Sequence, residues 1–439
     1  MNRTVLDDLT DRLSSIEVSP PSLQGSLTRV TGMLLTARGI RAPLGAYCEV
    51  LSEDGVAILT EVVGFKDSDL MLMPLSSVAG LLPGAAVRVL SFTARVGVSG
   101  SVLGRVLDGM GEPLDGGQRI TPEVYVPLKG VPLNPLNRGA INRPLDVGIR
   151  SINTFTQIGQ GQRVGLMAGS GVGKSMLISM MTRFTSADVV VIGLIGERGR
   201  EVLDFVEETL GKEGLKRAVV IAAPGDTSPV VRLRASHYAT AVAEYFRDRG
   251  KNVLLLMDSL TRLAHAQREI GLAVGELPTT KGYTPSVFSL INEVIERAGA
   301  TRHGGSITGI YSVLAEGDDA MDPVVDSARA ILDGHILLSR DLAAMGQYPA
   351  VDISFSISRL SSRLLTKDRN ELVQKFRRLN AVYDENKDLI AVGAYRSGSN
   401  AELDEAIQRR EMMRNFLKQS ADQPVTIDDS FTMLLQIMS

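Results

Sequence analysis

Tryptophan is absent from this 439-residue chain, and aromatic residues make up only 5% of it. Residues 25–95 hold just Tyr47, Phe65 and Phe92, with few basic residues, so that region lacks the interleaved aromatic and cationic side chains on which single-stranded nucleic acid stacks. One cysteine, Cys48, rules out an internal disulfide and fits a reducing compartment. The four histidines, His237, His265, His303 and His335, show no ligand-type spacing and give no support to a metal-centred enzyme. Net charge is −3 with pI near 6.0, so no global basic excess points to nucleic acid. Apolar runs such as VLLLM (253–257) are far too short to cross a bilayer, and the start, MNRTVLDDLTDRL, mixes acids into its first turns rather than an apolar signal stretch. These absences describe a cytoplasmic chain that can still dock on a membrane.

The chain has the length of two or three domains. Residues 1–20 read as an amphipathic helix, with Leu6, Leu9, Leu13 and Ile16 at helical spacing; it either folds back on its own domain or docks a partner. Residues 21–95 are short β-rich runs punctuated by glycine, the pattern of a small β-barrel. A Gly/Pro-rich connector spans 96–149. From 150 to 365, apolar strands (QRVGLMAG, DVVVIGLIG, RAVVIAA, NVLLLMD, SITGIYSVLAE, HILLS) alternate with helical segments, as in an α/β fold with a mostly parallel sheet. Residues 366–439 are helical throughout and form a C-terminal helical domain.

The stretch AGSGVGKS (168–175) follows a strand and opens a helix, the arrangement of a P-loop. Gly169, Ser170, Gly171, Val172 and Gly173 offer backbone N–H groups to phosphates, Lys174 neutralises them, and Ser175, followed by Met176, presents a hydroxyl to Mg²⁺. Ala168 stands where the pattern has its first glycine, a position that needs only a small residue. Asp258 ends the strand NVLLLMD, where an acid either holds Mg²⁺ or caps the next helix. In IGERGR (195–200), Glu197 follows the strand DVVVIGLIG, expected beside the P-loop strand, so its carboxylate faces the γ-phosphate and can polarise water. Arg198 or Arg200 would hold phosphate or fix the glutamate.

Together, AGSGVGKS, GERGRE, LLLMDSLTR and YPAVDISFSIS (348–358) resemble the F- and V-type rotary ATPase head-subunit family, the last by its signature at Pro349, Asp352, Ser356 and Ser358. Within it the chain is most similar to the ATPases of type III protein export. The resemblance implies a RecA-like P-loop NTPase core and Mg²⁺-dependent hydrolysis of ATP. Glu197 then matches the water-activating glutamate, which regulatory subunits usually replace by glutamine. Arg198 matches an arginine near the γ-phosphate, and Tyr348 an aromatic on the adenine. Arg359 matches an arginine finger reaching the neighbouring subunit's site, with Arg363 one turn away as the competing choice.

The resemblance further implies a homohexamer, a peripheral-stalk-like regulator bound by the N-terminal helix, and a central stalk protein meeting residues 270–287 at the ring's pore. It also implies export chaperones and substrates, an export gate at the inner membrane's cytoplasmic face, and no nucleic acid. Gly393, Ala394 and Tyr395 stand where virulence ATPases more often have Gly-Glu-Tyr, which tilts the reading to the flagellum. A rotary-pump head subunit and, more remotely, an RNA translocase similar to the termination factor Rho are the competing machines.

Overall fold

Alternate residues of the first β-rich stretch point to one side, and the strands close around them. In the computed structural model, which describes residues 24–131, 133–302, 304–314 and 322–439, the chain divides into two compact units at Thr93/Ala94. The helix expected over residues 1–20, and the regulator surface assigned to it, lie outside the described residues. Strands β1 (Gln24–Thr31), β2 (Leu34–Arg38), β3 (Tyr47–Leu51), β4 (Ala57–Lys66), β5 (Asp69–Pro74) and β6 (Ala86–Ser91) form a closed barrel in the order β1-β2-β5-β4-β3-β6. Every pairing is antiparallel. Leu27, Leu35, Val50, Val62, Leu72 and Val87 fill its interior, and closure leaves no long sheet edge to aggregate.

The second unit is built on a nine-stranded sheet. Its strands are β7 (Val106–Asp108), β8 (Arg163–Ala168), β9 (Val189–Ile195), β10 (Ala218–Ala223), β11 (Asn252–Asp258), β12 (Gly299–Ala300), β13 (Ser306–Leu314), β14 (Gly334–Leu338) and β15 (Ile357–Ser358). The order is β15-β14-β8-β13-β11-β9-β10-β7, with β12 antiparallel to β13 and β15 antiparallel to β14. All other pairings are parallel, and β9 and β10 are buried along their whole length, as helices on both faces require. Part of the stretch read as a connector therefore belongs to the main sheet, as its edge strand β7.

One expectation is corrected here. Strand β9, which leads into Glu197, does not lie beside the P-loop strand β8: β13 and β11 stand between them. The crossover from β8 to β9 skips two places that later segments fill. Hydrophobic runs report that a strand is buried, not which neighbour it takes.

Helices follow the strands: α1 (Lys174–Phe184), α2 (Gly199–Asp204), α3 (Pro229–Arg247), α4 (Leu260–Val274), α5 (Pro285–Glu296), α6 (Pro323–Ile331) and α7 (Arg340–Ala344). The helix read over REVLDFVEETLG begins as α2 and widens into a π-helical turn at Phe205–Leu210. Three helices close the chain, α8 (Lys367–Ala391), α9 (Ala401–Leu417) and α10 (Ile427–Met438), started by the side chains of Thr366, Asn400 and Thr426, which accept hydrogen bonds from first-turn N–H groups. Phe376 of α8 and Phe416 of α9 meet Phe155 of the α/β core, with ring centroids 4.7 and 6.1 Å away, and anchor the helices to it.

Candidate functional site

Strand β8 ends at Ala168, and the chain turns through five residues before α1 begins at Lys174. The turn uses backbone that only glycine adopts freely: Gly173, at φ +88°, occupies the N-cap position and leaves no side chain over the helix's first N–H groups. Those groups, with the positive end of the helix dipole, face a cavity of about 630 Å³. Gly169, Ser170, Gly171, Gly173, Lys174, Ser175 and Met176 all line it. Val172 does not: its side chain is buried in the core and pins the turn from behind.

Three charged groups converge at the floor. The Lys174 ammonium donates to Asp258 Oδ1 at 2.5 Å and lies 3.7 Å from Glu197 Oε1. Asp258 comes from the end of β11, almost fully buried, and also accepts a 2.5 Å hydrogen bond from Ser312 of β13. It does not cap the following helix, because Ser259 does, accepting from the Arg262 N–H at 3.2 Å. The alternative reading of Asp258 as a cap is thereby removed, and its carboxylate is left to the site.

Glu197 arrives from β9 through Gly196, whose φ of +74° and close packing on Arg262 (an added Cβ would stand 2.7 Å from the Arg262 Cβ) exclude any larger residue. Its backbone carbonyl accepts from Gly225 N–H at 3.0 Å, which ties the loop to the end of β10. Its Oε1 atom is buried with no hydrogen-bond partner among the described residues. Burial pushes this carboxyl up to about 7; the Lys174 ammonium pulls it down, and the Asp258 charge adds to the rise. A carboxylate held so, short of a donor and facing a cavity, is suited to take a proton near neutral pH.

The two arginines of GERGR separate. Arg198 lines the cavity with its side chain 87% exposed, 3.9 Å from Glu201. Arg200 does not line it and pairs with Asp204 on α2 at 3.6 Å. Tyr348 precedes Pro349 through a cis peptide, and its ring lies against the P-loop, 3.4 Å from where a Cβ on Gly173 would be. Its outer face is exposed, and the Gln419 N–H donates to its carbonyl at 2.9 Å, joining this loop to the C-terminal helices.

Arg359 is not brought to this cavity. It follows the edge strand β15, exposed, with its N–H donating to Asp333 O at 2.9 Å and its Nη2 to Arg329 O at 3.3 Å. Arg363, one turn on, is exposed as well. The signature residues before it build the edge. Asp352 accepts from the N–H groups of Ser354 and Phe355, the Ser356 hydroxyl donates to Asp352 O at 2.5 Å, and the Ser358 hydroxyl donates to Gln157 O at 2.9 Å.

Sequence reasoning missed Arg262, Thr261, Glu201 and Arg340, which also line the cavity. Arg262 carried a usable signal: it lies four residues after Asp258, one helical turn along the same chain path. No cluster of three or more His, Cys, Asp or Glu side chains that could cage a metal occurs among the described residues. The oxygens of Ser175 and Asp258 are a hard, sparse donor set of the kind that Mg²⁺ shares with nucleotide phosphates.

Residues 148–358 match the ATP synthase alpha/beta family, nucleotide-binding domain, and residues 365–436 match the T3SS EscN ATPase C-terminal domain. The chain is 52% identical over 423 residues to the flagellum-specific ATP synthase of Pseudomonas aeruginosa, covering 95% of this chain and 94% of the relative. It is 45% identical over 414 residues to a type 3 secretion system ATPase of Xanthomonas euvesicatoria, covering 94% and 93%. Among solved structures it is similar to the assembled ATPase EscN of the enteropathogenic E. coli type III secretion system, alone and in complex with its central stalk EscO. In each case the TM-score is 0.88 at 37% identity, over 94% of this chain and 100% of that one.

Proposed function

This chain belongs to the ATP synthase alpha/beta family, as an ATPase of its type III export branch, and we propose that it is the Mg-ATP-hydrolysing motor of a flagellar export apparatus. The observation that carries the mechanism is the buried Glu197 carboxyl, with no hydrogen bond at Oε1 and the Lys174 ammonium 3.7 Å from it, beside the Lys174–Asp258 pair behind the P-loop.

The P-loop amides and the N-terminus of α1 take the phosphates, and Lys174 exchanges its carboxylate partners for β- and γ-phosphate oxygens. Ser175 and Asp258 are the residues that would hold Mg²⁺, which when bound neutralises developing charge on the phosphates. Tyr348 packs its exposed face on the adenine. Glu197 orients the attacking water and receives its proton, and Arg198 steadies the γ-phosphate. Arg359, being outside its own cavity, acts on the site of a neighbouring copy and stabilises transition-state charge there, so the site is complete only in a ring, a homohexamer.

The glutamate at position 197 supports a catalytic subunit rather than a regulatory one. Flagellum-specific relatives range from 43% to 52% identity, against 45% to a type 3 secretion system ATPase, so only the upper values, 52% and 51%, support the flagellar branch. A rotary-pump head subunit and an RNA translocase gain no support from these matches. The ring would sit on the cytoplasmic side of the membrane at the export gate, releasing chaperones and delivering substrates, with its regulator on the N-terminal segment and a central stalk at residues 270–287. Helix α4 takes the first five residues of that stretch, and Leu277 stands exposed beyond it.

Steady-state hydrolysis by Glu197→Gln, set against its ATP affinity by equilibrium binding, tests the mechanism. Loss of a general base should cut kcat by about 10²–10⁴-fold while affinity stays near that of the parent. Equal loss of binding would make Glu197 a structural residue and overturn the assignment.

A further inference from the structure

The strand that ends at Arg359 has little pairing of its own. Strand β15 meets β14 at two positions, Gly334↔Ser358 and His335↔Ile357, and Arg359 leaves its end. On the sheet side, the Leu337 N–H of β14 donates to the Ser356 hydroxyl at 3.0 Å. A second hold comes from the C-terminal helices. Arg377, on α8, turns its Nη2 to Phe155 O at 2.9 Å and to Ser356 O at 3.4 Å. Ser356 lies three residues before Arg359. The helix is fixed at this point, because Phe376 is fully buried with its ring centroid 4.7 Å from that of Phe155. The Ser358 hydroxyl donates to Gln157 O, so residues 155–157 and 356–358 are bridged twice, once by Ser358 and once by Arg377. Burial lowers the Arg377 pKa, and the charge of the signature residue Asp352 opposes the fall. A guanidinium so withdrawn from water holds its carbonyl partners more firmly than an exposed one.

We propose that Arg377 is a positioning residue for the arginine finger, by which helix α8 sets where Arg359 reaches into the neighbouring copy's site. The inference rests on the reading of Arg359 as that finger. Arg377 does not line the chain's own cavity, so its effect on that site's nucleotide should be small. Tyr348, at the other end of the same strip, is held separately: the Gln419 N–H donates to its carbonyl at 2.9 Å. Loss of Arg377 therefore frees the finger end and leaves the adenine end in place. A displacement of α8 would be felt at the neighbour's site before the chain's own.

The test asks on which side of the chain the defect lies. Arg377→Met keeps the length and packing of the stem and removes the donors. It should lower kcat about 10- to 100-fold, the scale of a misplaced catalytic group, with ATP affinity and melting temperature unchanged. Arg377→Lys, which restores a donor and the charge, should recover much of the loss. Arg377→Met is then reassembled into mixed rings with each of two inactive proteins. With Glu197→Gln, activity should rise above the sum of the parents, because sites that keep Glu197 receive a well-placed finger from the other chain. With Arg359→Ala no such gain should appear, because both defects lie on the finger side. Gain with Arg359→Ala and none with Glu197→Gln would place the defect in the chain's own site and overturn the proposal. So would unchanged kcat, or loss of ATP affinity. If Arg377→Met does not fold, Arg377→Lys is carried through the same mixtures with the same criteria. A Glu197→Gln and Arg359→Ala pair that stays inactive together would instead overturn the finger itself, and this inference with it.

Discussion

At the scale of single residues, the site works through one carboxyl held out of its ordinary range. Glu197 keeps its proton to about 7 in the folded chain because burial outweighs the pull of Lys174, whereas an exposed glutamate releases it near 4.5. Two consequences follow from the same shift. A base must be ionised to accept a proton, so kcat/KM for Mg-ATP should climb with pH and level off above about 7. In the nucleotide-free protein the folded state binds the proton more tightly than the unfolded one, so Glu197 costs stability as pH rises from 4.5 towards 7. Glu197→Gln should therefore melt above the parent at pH 8, and the difference should vanish below pH 4.5. A variant that melts lower at pH 8 would show that Glu197 is held by favourable partners rather than by desolvation.

At the scale of elements, the site is assembled from turns, and turns differ in how openly the sequence announces them. The P-loop was legible because its geometry is local: glycines, a lysine and a helix start lie within eight residues, and each is demanded by backbone conformation or phosphate charge. The barrel and the strands of the α/β core were legible from period and punctuation. Sheet order was not, because the crossover that carries β9 past two intervening places from β8 depends on packing between segments far apart in sequence. Glu197 was thus placed at the site although its strand is not the P-loop's neighbour. Arg262 was missed although it lies one helical turn past Asp258, because its close packing on Gly196 joins segments far apart in sequence.

The signature PAVDISFSIS shows the reverse case, a recognisable pattern whose physical task needed the structure. Its Asp and Ser side chains bind backbone, and Ser358 ties β15 to Gln157 while accepting from Gln162 Nε2 at 3.1 Å. Ser358→Ala should loosen the strand that carries Arg359, lowering kcat several-fold with little change in ATP affinity. Single-turnover rates alongside nucleotide binding check this. Loss of affinity with an intact rate would place the serine's influence on the chain's own P-loop instead.

At the scale of the whole molecule, the account turns on where Arg359 acts. A single chain brings Lys174 and Glu197 into one cavity, with Asp258 bonded to Lys174 behind its lining and Tyr348 packed against the P-loop at Gly173, and leaves Arg359 on an edge away from it. The most direct measurement mixes two inactive proteins, Glu197→Gln and Arg359→Ala, disassembled together and reassembled, with co-assembly verified by pulling down one tagged form. In a mixed ring, a site that keeps Glu197 can receive Arg359 from its neighbour. The account predicts that ATP hydrolysis, lost in each protein alone, returns on mixing and scales with the fraction of mixed contacts. Mixed rings that stay as inactive as their parents would contradict a site shared between copies.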